Sequence, residues 1–254
     1  MNADWRSLRE ELRRWQDAGH DATFWWRDDD AQDATAQLDR LLCVAAALGV
    51  APALAVVPAG ATAALARRLR EVPQIDVLQH GYAHANHAPA GEKTMELGAH
   101  RTLRTVSDEL VAGRQRLTAL AVACLPVVVP PWNRIDRCVL EQLGQYGFIG
   151  VSTFAPRDSA VDAQGLTHVN THVDPIAWQT DRGFRGEAAA LQQVLGHLSA
   201  RRSGNADRQE PTGLLTHHLV QDDSCWEFCD RLITETQAFD NVTWVTARTL
   251  FGTD

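Results

Sequence analysis

Eight short apolar or β-branched runs alternate with longer stretches of helical periodicity. That alternation narrows the fold of this 254-residue chain more than any single motif. The runs fall at 23–27, 53–57, 75–79, 126–129, 148–152, 166–169, 213–217 and 242–245. Between the first two, Leu38, Leu41, Leu42, Ala45 and Leu48 recur at helix spacing. Between the third and fourth, 97–120 reads as one long helix with Leu103, Val106, Leu110, Leu117 and Leu120 on a stripe, which sets Glu96, Arg101 and Arg104 on a solvated face at its start. Val139, Leu140 and Leu143 mark another helix, and Trp226, Cys229, Leu232, Ile233 and Thr236 the last long one. Strands that alternate with helices pair in parallel beneath a helical layer. Eight of them in this length imply an α/β fold with a mostly parallel sheet closed into a barrel rather than left open. One domain over 1–254 is expected, opened by a helix at about 3–18, with 156–165 and 201–210 as surface loops.

Composition excludes several classes. The formal charge of -8, with no basic stripe to offset it, argues against a nucleic-acid or anionic-membrane binder. No apolar run approaches membrane-spanning length, and charges recur through Arg14 without the apolar segment of a secretory signal. The five cysteines, Cys43, Cys124, Cys138, Cys225 and Cys229, read as reduced core thiols of a cytoplasmic protein, with Cys225 and Cys229 on one packed helix face. The pattern carries no information on oligomeric state.

The chemistry gathers at strand ends. Arg27-Asp28-Asp29-Asp30 follows the aromatic run Phe24-Trp25-Trp26. Carboxylates held close repel, so a cation beside them is the simplest reason to keep three together. His80 and His84 lie four apart, a spacing that aims two rings the same way. Imidazole and carboxylate together suit Zn²⁺ or a similar divalent ion, whose water titrates near pH 7 and needs only a neighbouring base. The Asp triplet follows the first expected strand, His80 the third, Pro130-Pro131-Trp132-Asn133 the fourth, and His217-His218 close the seventh. In a (β/α) barrel the C-terminal strand ends carry function. His87 is expected at the surface or behind the ligands.

These residues resemble the polysaccharide deacetylases of the NodB-homology type, a metal-dependent carbohydrate esterase family. Asp28-Asp29-Asp30-Ala31 occupies the Phe-Asp-Asp-Gly positions of its first motif. His80-Gly81-Tyr82-Ala83-His84 matches its His-Ser/Thr-x-x-His, Val129-Pro130-Pro131-Trp132 its Arg-x-Pro-Tyr, and Leu214-Leu215-Thr216-His217 its late Leu-x-x-His. The resemblance runs from about residue 23 to the C-terminus and implies a NodB-like fold, a distorted (β/α) barrel with seven or eight mostly parallel strands, in agreement with the strand count. It further implies a divalent metal, Zn with Co, Mn or Ni as alternatives, held by Asp30, His80 and His84. Asp29 would be the general base, and His217, or His218 in its place, the general acid. Trp132 and Pro131 would meet the substrate. The implied reaction is removal of an acetyl or similar acyl group from an amide of a carbohydrate-like substrate. The alternatives are a small-molecule amidase or deformylase on the same fold, and a degenerate barrel that binds a metal or ligand without catalysis. Three departures stand out: the base-orienting Arg is Val129, with Arg27 and Arg134 as replacements; Ser/Thr of the second motif is Gly81; and only Asp174 and Trp178 approximate the Asp-x-x-Asp-Trp segment.

Overall fold

Phe24 and Trp26 project from one side of the first strand and Trp25 from the other, and this alternation organises the molecule. The computed structural model describes residues 3–162 and 164–253; residues 1, 2, 163 and 254 of the expected domain lie outside the described residues. All eight expected runs are strands: β1 (Ala22–Ala31), β2 (Ala53–Val56), β3 (Asp76–His80), β4 (Cys124–Val129), β5 (Gly150–Val151), β6 (Thr167–His168), β7 (Thr212–Thr216) and β8 (Val242–Trp244). They form one sheet in the order β6-β5-β4-β3-β2-β1-β7, with β8 paired to the start of β1, and every strand pairing is parallel. An irregular segment after β6 spans the remaining gap. There Phe154 bridges to Thr171, and Val173 bridges to Leu214 of β7. The sheet is therefore curled into a distorted α/β barrel, as expected.

Eight α-helices accompany the strands: α1 (Trp5–Asp17), α2 (Ala36–Leu48), α3 (Ala63–Arg70), α4 (Leu103–Ala119), α5 (Arg137–Leu140), α6 (Glu187–Ser203), α7 (Asp223–Gln237) and α8 (Ala247–Leu250). Helix α1 lies within the expected 3–18. Asp4 caps it by accepting the Ser7 N–H at 2.8 Å, and it buries Trp5, Leu8, Leu12 and Trp15. Each such side chain contributes about 1.5–3 kcal/mol. The outer face of the sheet (Phe24, Trp26, Leu54, Val56, Val77) meets the helices, while Trp25, Ala53, Ala55, Leu78, Val127 and Val129 fill the barrel interior. The two alanines leave room for the Trp25 indole, whose N–H donates to the Asn170 carbonyl at 2.8 Å.

Four expectations are corrected. The long helix begins at Leu103, not at 97, because Leu97 is buried in a bridge to Ile135 instead. The 201–210 surface loop is shorter than expected: α6 runs through Ser203, the mostly exposed loop covers 204–209, and Arg201 and Glu210 at its ends are fully buried. Cys43 and Cys138 are exposed and only Cys225 and Cys229 are buried; Cys43 falls outside the Leu38, Leu41, Leu42, Ala45 face of α2. Finally, the Asp triplet lies within β1 rather than after it.

Candidate active site

Simple strand alternation would turn Asp29 and Asp30 to opposite faces. Alternation does place Trp25, Arg27 and Asp29 on the inner face, and it turns Asp28 outward. The pairing of β1 with β2 then slips. Asp28 opposes Leu54 while Ala31 opposes Val56, so β1 carries one residue more. This bulge, with Asp30 at φ 74, brings the Asp30 carboxylate to the same cavity as Asp29. His84, Trp132 and Asn133 also hold positive φ values of 55 to 56. Such conformations cost about 1–3 kcal/mol each in non-glycine residues and concentrate at working sites.

The three proposed ligands converge. Asp30 Oδ1 lies 3.1 Å from His80 Nε2 and 3.3 Å from His84 Nε2. His80 Nδ1 donates to the Val129 carbonyl at 2.9 Å. A carbonyl can only accept, so Nδ1 carries the neutral ring's proton and Nε2 offers a lone pair to the shared point. Asp30 Oδ1 is buried there without a hydrogen-bond partner. The His80 lone pair and the His84 Nε2, both within 3.3 Å of one carboxylate oxygen, fit a divalent cation. The electrostatics agree. Burial opposes charge on His80, yet Asp30 and Asp29 outweigh it and raise its pKa. Burial likewise opposes charge on Asp30, yet His80, His217 and His84 pull its carboxyl well below the ordinary range. Burial lowers His84.

Sequence reasoning missed what holds the His84 loop. Glu96, expected on a solvated helix face, is 1% exposed, and its carboxylate accepts the backbone N–H groups of Tyr82, Ala83 and Ala85 at 3.1, 2.7 and 3.4 Å. Gly81 explains itself here. At φ +52, an added Cβ would lie 2.1 Å from the Glu96 carboxylate and 2.6 Å from Pro131. A Ser or Thr does not fit.

The replacement for the absent arginine is Arg27, not Arg134. Its guanidinium, fully buried, grips Asp29 with both nitrogens, Nε to Oδ1 at 2.9 Å and Nη2 to Oδ2 at 3.0 Å. Asn133, Ser152 and the Thr153 carbonyl accept its other protons. Two residues apart on one strand face, Arg27 and Asp29 meet naturally, a spacing visible in the sequence.

Adjacent residues His217 and His218 part ways. His217 lines the cavity, edge-on to Trp178 at 4.7 Å between ring centroids. His218, 1% exposed, turns to the outward Asp28, with Nδ1 2.5 Å from Oδ1; Thr216 and the His218 N–H donate to Asp28 Oδ2. Asp174 also lines the cavity, accepts the Trp178 indole N–H at 2.7 Å, and has its pKa raised by burial. Trp132 lines the cavity with its ring against His84, 4.3 Å between centroids. Pro131 is buried against Gly81 and does not line it. His87 is exposed. The cavity measures about 650 Å³ and shares Asn133, Arg134 and Phe154 with a second of about 580 Å³.

A second cluster has the same ligand types. His172, His197 and Glu210 bring their side-chain atoms close enough to hold an ion. Here, however, the Gly213 N–H donates to His172 Nδ1 at 3.0 Å. An N–H can only donate, so the neutral ring's proton sits on Nε2, which lies 3.4 Å from Glu210 Oε1 without a hydrogen bond to it. His172 presents a proton where a metal needs a lone pair. The two imidazoles stack at 3.4 Å between centroids, and His197 Nε2 lies 3.7 Å from the other Glu210 oxygen. Burial pushes His172 down to about 4 and lowers His197. Glu210 is held at about 2 despite burial, because both imidazoles face it.

No family model matches the chain, and no curated protein does. Solved structures do. A crystal structure assigned as a polysaccharide deacetylase from Mycobacterium smegmatis is similar at 18% identity and a TM-score of 0.66, over 91% of this chain and 88% of that one. The chain has the polysaccharide-deacetylase fold. A family 4 pseudoenzyme, mutated so that its activity is restored, aligns at 16% identity and a TM-score of 0.60, over 92% of this chain and 68% of that one. An acetyl xylan esterase of the same family from Clostridium thermocellum, in complex with a cobalt ion, aligns at 14% identity and a TM-score of 0.50, over 91% and 90%. The resemblance drawn from the motifs thus holds at the level of fold.

Proposed function

We propose that this protein is a metal-dependent deacetylase that removes an acetyl or similar acyl group from an amide of a carbohydrate-like substrate. One observation carries the reading most: the Val129 carbonyl fixes the His80 tautomer so that its lone pair meets those of Asp30 and His84. A divalent ion held by these residues would polarise an amide carbonyl and acidify water. Asp29, fixed by Arg27, takes the proton from water at its carboxylate. His217, on the opposite lining of the cavity, gives a proton to the leaving amine. Trp132 and Trp178 offer apolar faces to a sugar ring. The continuous lining through Asn133, Arg134 and Phe154 favours an elongated substrate over a small amide. The zinc-like ligand set and cobalt in a structural neighbour support Zn or Co.

The test is metal analysis of purified protein, then acetate release from a panel of acetamides with Zn²⁺, Co²⁺, Mn²⁺ or Ni²⁺ added. Release that disappears in Asp29→Asn, with the metal retained, supports the reading. No release with any metal, or undiminished release by Asp30→Ala, overturns it.

A further inference from the structure

From the arginines that line this cavity without a carboxylate ion pair among the described residues, we infer that the substrate carries an anionic group, a carboxylate or a phosphate, which they bind. The inference rests on the proposed active site but concerns which substrate it accepts. Arg134 lines one side, at the end of the turn that follows β4. Arg182 and Arg185 line the other, from the segment that also supplies Asp174, Trp178 and Gln179.

None of the three has a carboxylate partner. Arg134 donates only to the carbonyl and hydroxyl of Thr94, both at 2.8 Å. Arg185 donates to the Ile176 carbonyl at 2.9 Å, and its Nε is buried without a partner. Arg182, held at φ 62, makes no side-chain hydrogen bond or ion pair among the described residues. Elsewhere in this acidic protein arginines are commonly paired: Arg9 with Glu235, Arg40 with Asp223, Arg101 with Glu109, Arg157 with Asp207 and Arg202 with Glu11.

Of the cavity's own acids only Asp174 feels one of these guanidinium groups, Arg185, and the two form no ion pair among the described residues. Asp29 is committed to Arg27 and Asp30 to the proposed ion, while Asp174 accepts from Trp178 and the Ile176 N–H. Taking Arg27 with the lining, four arginines face three aspartates, so a divalent ion leaves the cavity with an excess of positive charge. A chain of net charge -8 has gathered positive charge at one mouth. Guanidinium forks match planar carboxylates and phosphates in geometry, and a low-dielectric cavity strengthens the pairing. A neutral sugar chain needs no such lining.

The experiment compares three ligands on metal-loaded Asp29→Asn protein by calorimetry: N-acetylglucosamine, its 6-phosphate, and N-acetylmuramic acid, whose added group is a carboxylate. At least one anionic ligand is expected to bind about tenfold or more tightly than the neutral one, a difference of about 1.4 kcal/mol. Arg182→Gln and Arg185→Gln, each added to that background, should erase the difference while metal content stays unchanged. Whichever anion responds identifies phosphate or carboxylate. Equal affinity for all three, no binding of either anion, or a preference that survives both substitutions overturns the inference. An anion preference in a protein that releases no acetate from any substrate would sink the proposed reaction and leave the anion site standing.

Discussion

Two histidine–carboxylate clusters occupy this barrel, and their difference lies in a single hydrogen bond. At Asp30, His80 and His84, a backbone carbonyl receives the far ring proton of His80 and leaves a lone pair facing the carboxylate. At His172, His197 and Glu210, a backbone amide supplies a proton to the far side of His172 and so turns an N–H toward the carboxylate. The first arrangement presents a lone pair that suits a cation; the second presents a proton that does not. Access differs in the same direction. Asp30 and His84 border a cavity, whereas all three members of the second cluster are buried. Residue type and proximity do not make a metal site; the backbone group behind each imidazole decides which charge the ring presents.

The largest test of that contrast is metal stoichiometry. Wild-type protein should bind one divalent ion per chain. Asp30→Ala or His80→Ala should bind none and lose turnover to background, while His172→Gln should still bind one. Elemental analysis after exhaustive dialysis decides it; a second ion lost on substituting His172 would break the comparison.

Next in size are the proton-handling groups of the open cluster. Asp29→Asn should keep its ion and lose about 10²–10⁴-fold in kcat, the range for a positioned base. Arg27→Gln should lose about 10–100-fold in kcat with metal content unchanged, as expected for a partner that orients a functional group. A loss confined to KM would show that Arg27 contacts substrate instead of positioning Asp29.

How much of this was legible in the chain depended on whether local pattern or tertiary neighbours set each feature. The eight strands announced themselves because parallel strands buried on both faces read as short continuous apolar runs. Helix α6 did not. Its buried positions include His197 and Arg201, so polar residues broke the apolar stripe that would have marked it. The proposed ligands followed from the motif resemblance, while the Asp triplet and the His80/His84 pair stood out by their types and order. The Glu96 anchor was not, because its role depends on three loop amides that only the folded chain brings within reach. Arg27 stood between: its i, i+2 relation to Asp29 was in plain view, but the bulge that turns Asp30 to the same cavity was not.

In the closed cluster, effects should appear in stability and leave the chemistry alone. Glu210→Gln turns one of two acceptor oxygens, which take the Arg157 and Asn170 backbone N–H groups at 2.9 and 3.3 Å, into an N–H group that cannot accept. Each donor left without an acceptor costs about 1–3 kcal/mol, measured as a lower urea midpoint, with acetate release per folded molecule unchanged. A variant of full stability would show that the stacked imidazoles do not depend on the carboxylate.

The last effect is the pH dependence of that cluster, comparable in size, and its sign is fixed. His172 titrates near 6.5 when unfolded and near 4 in the fold, because burial disfavours its charge. Between those values the unfolded chain binds more protons, so stability rises with pH. The contribution is complete above about pH 6.5 and drains away as pH falls toward about 4, a change on the order of 2–3 kcal/mol. Glu210, lowered from 4.5 to about 2, adds its own loss only below that window. Urea midpoints at pH 4.5 and 7, taken in chelator so that ion binding does not contribute, should fall steeply on acidification for the wild type and less for His172→Phe. Parallel falls in the two proteins would mean that His172 gains or loses its proton as freely in the fold as outside it, and the amide of Gly213 would then have no part in fixing its state.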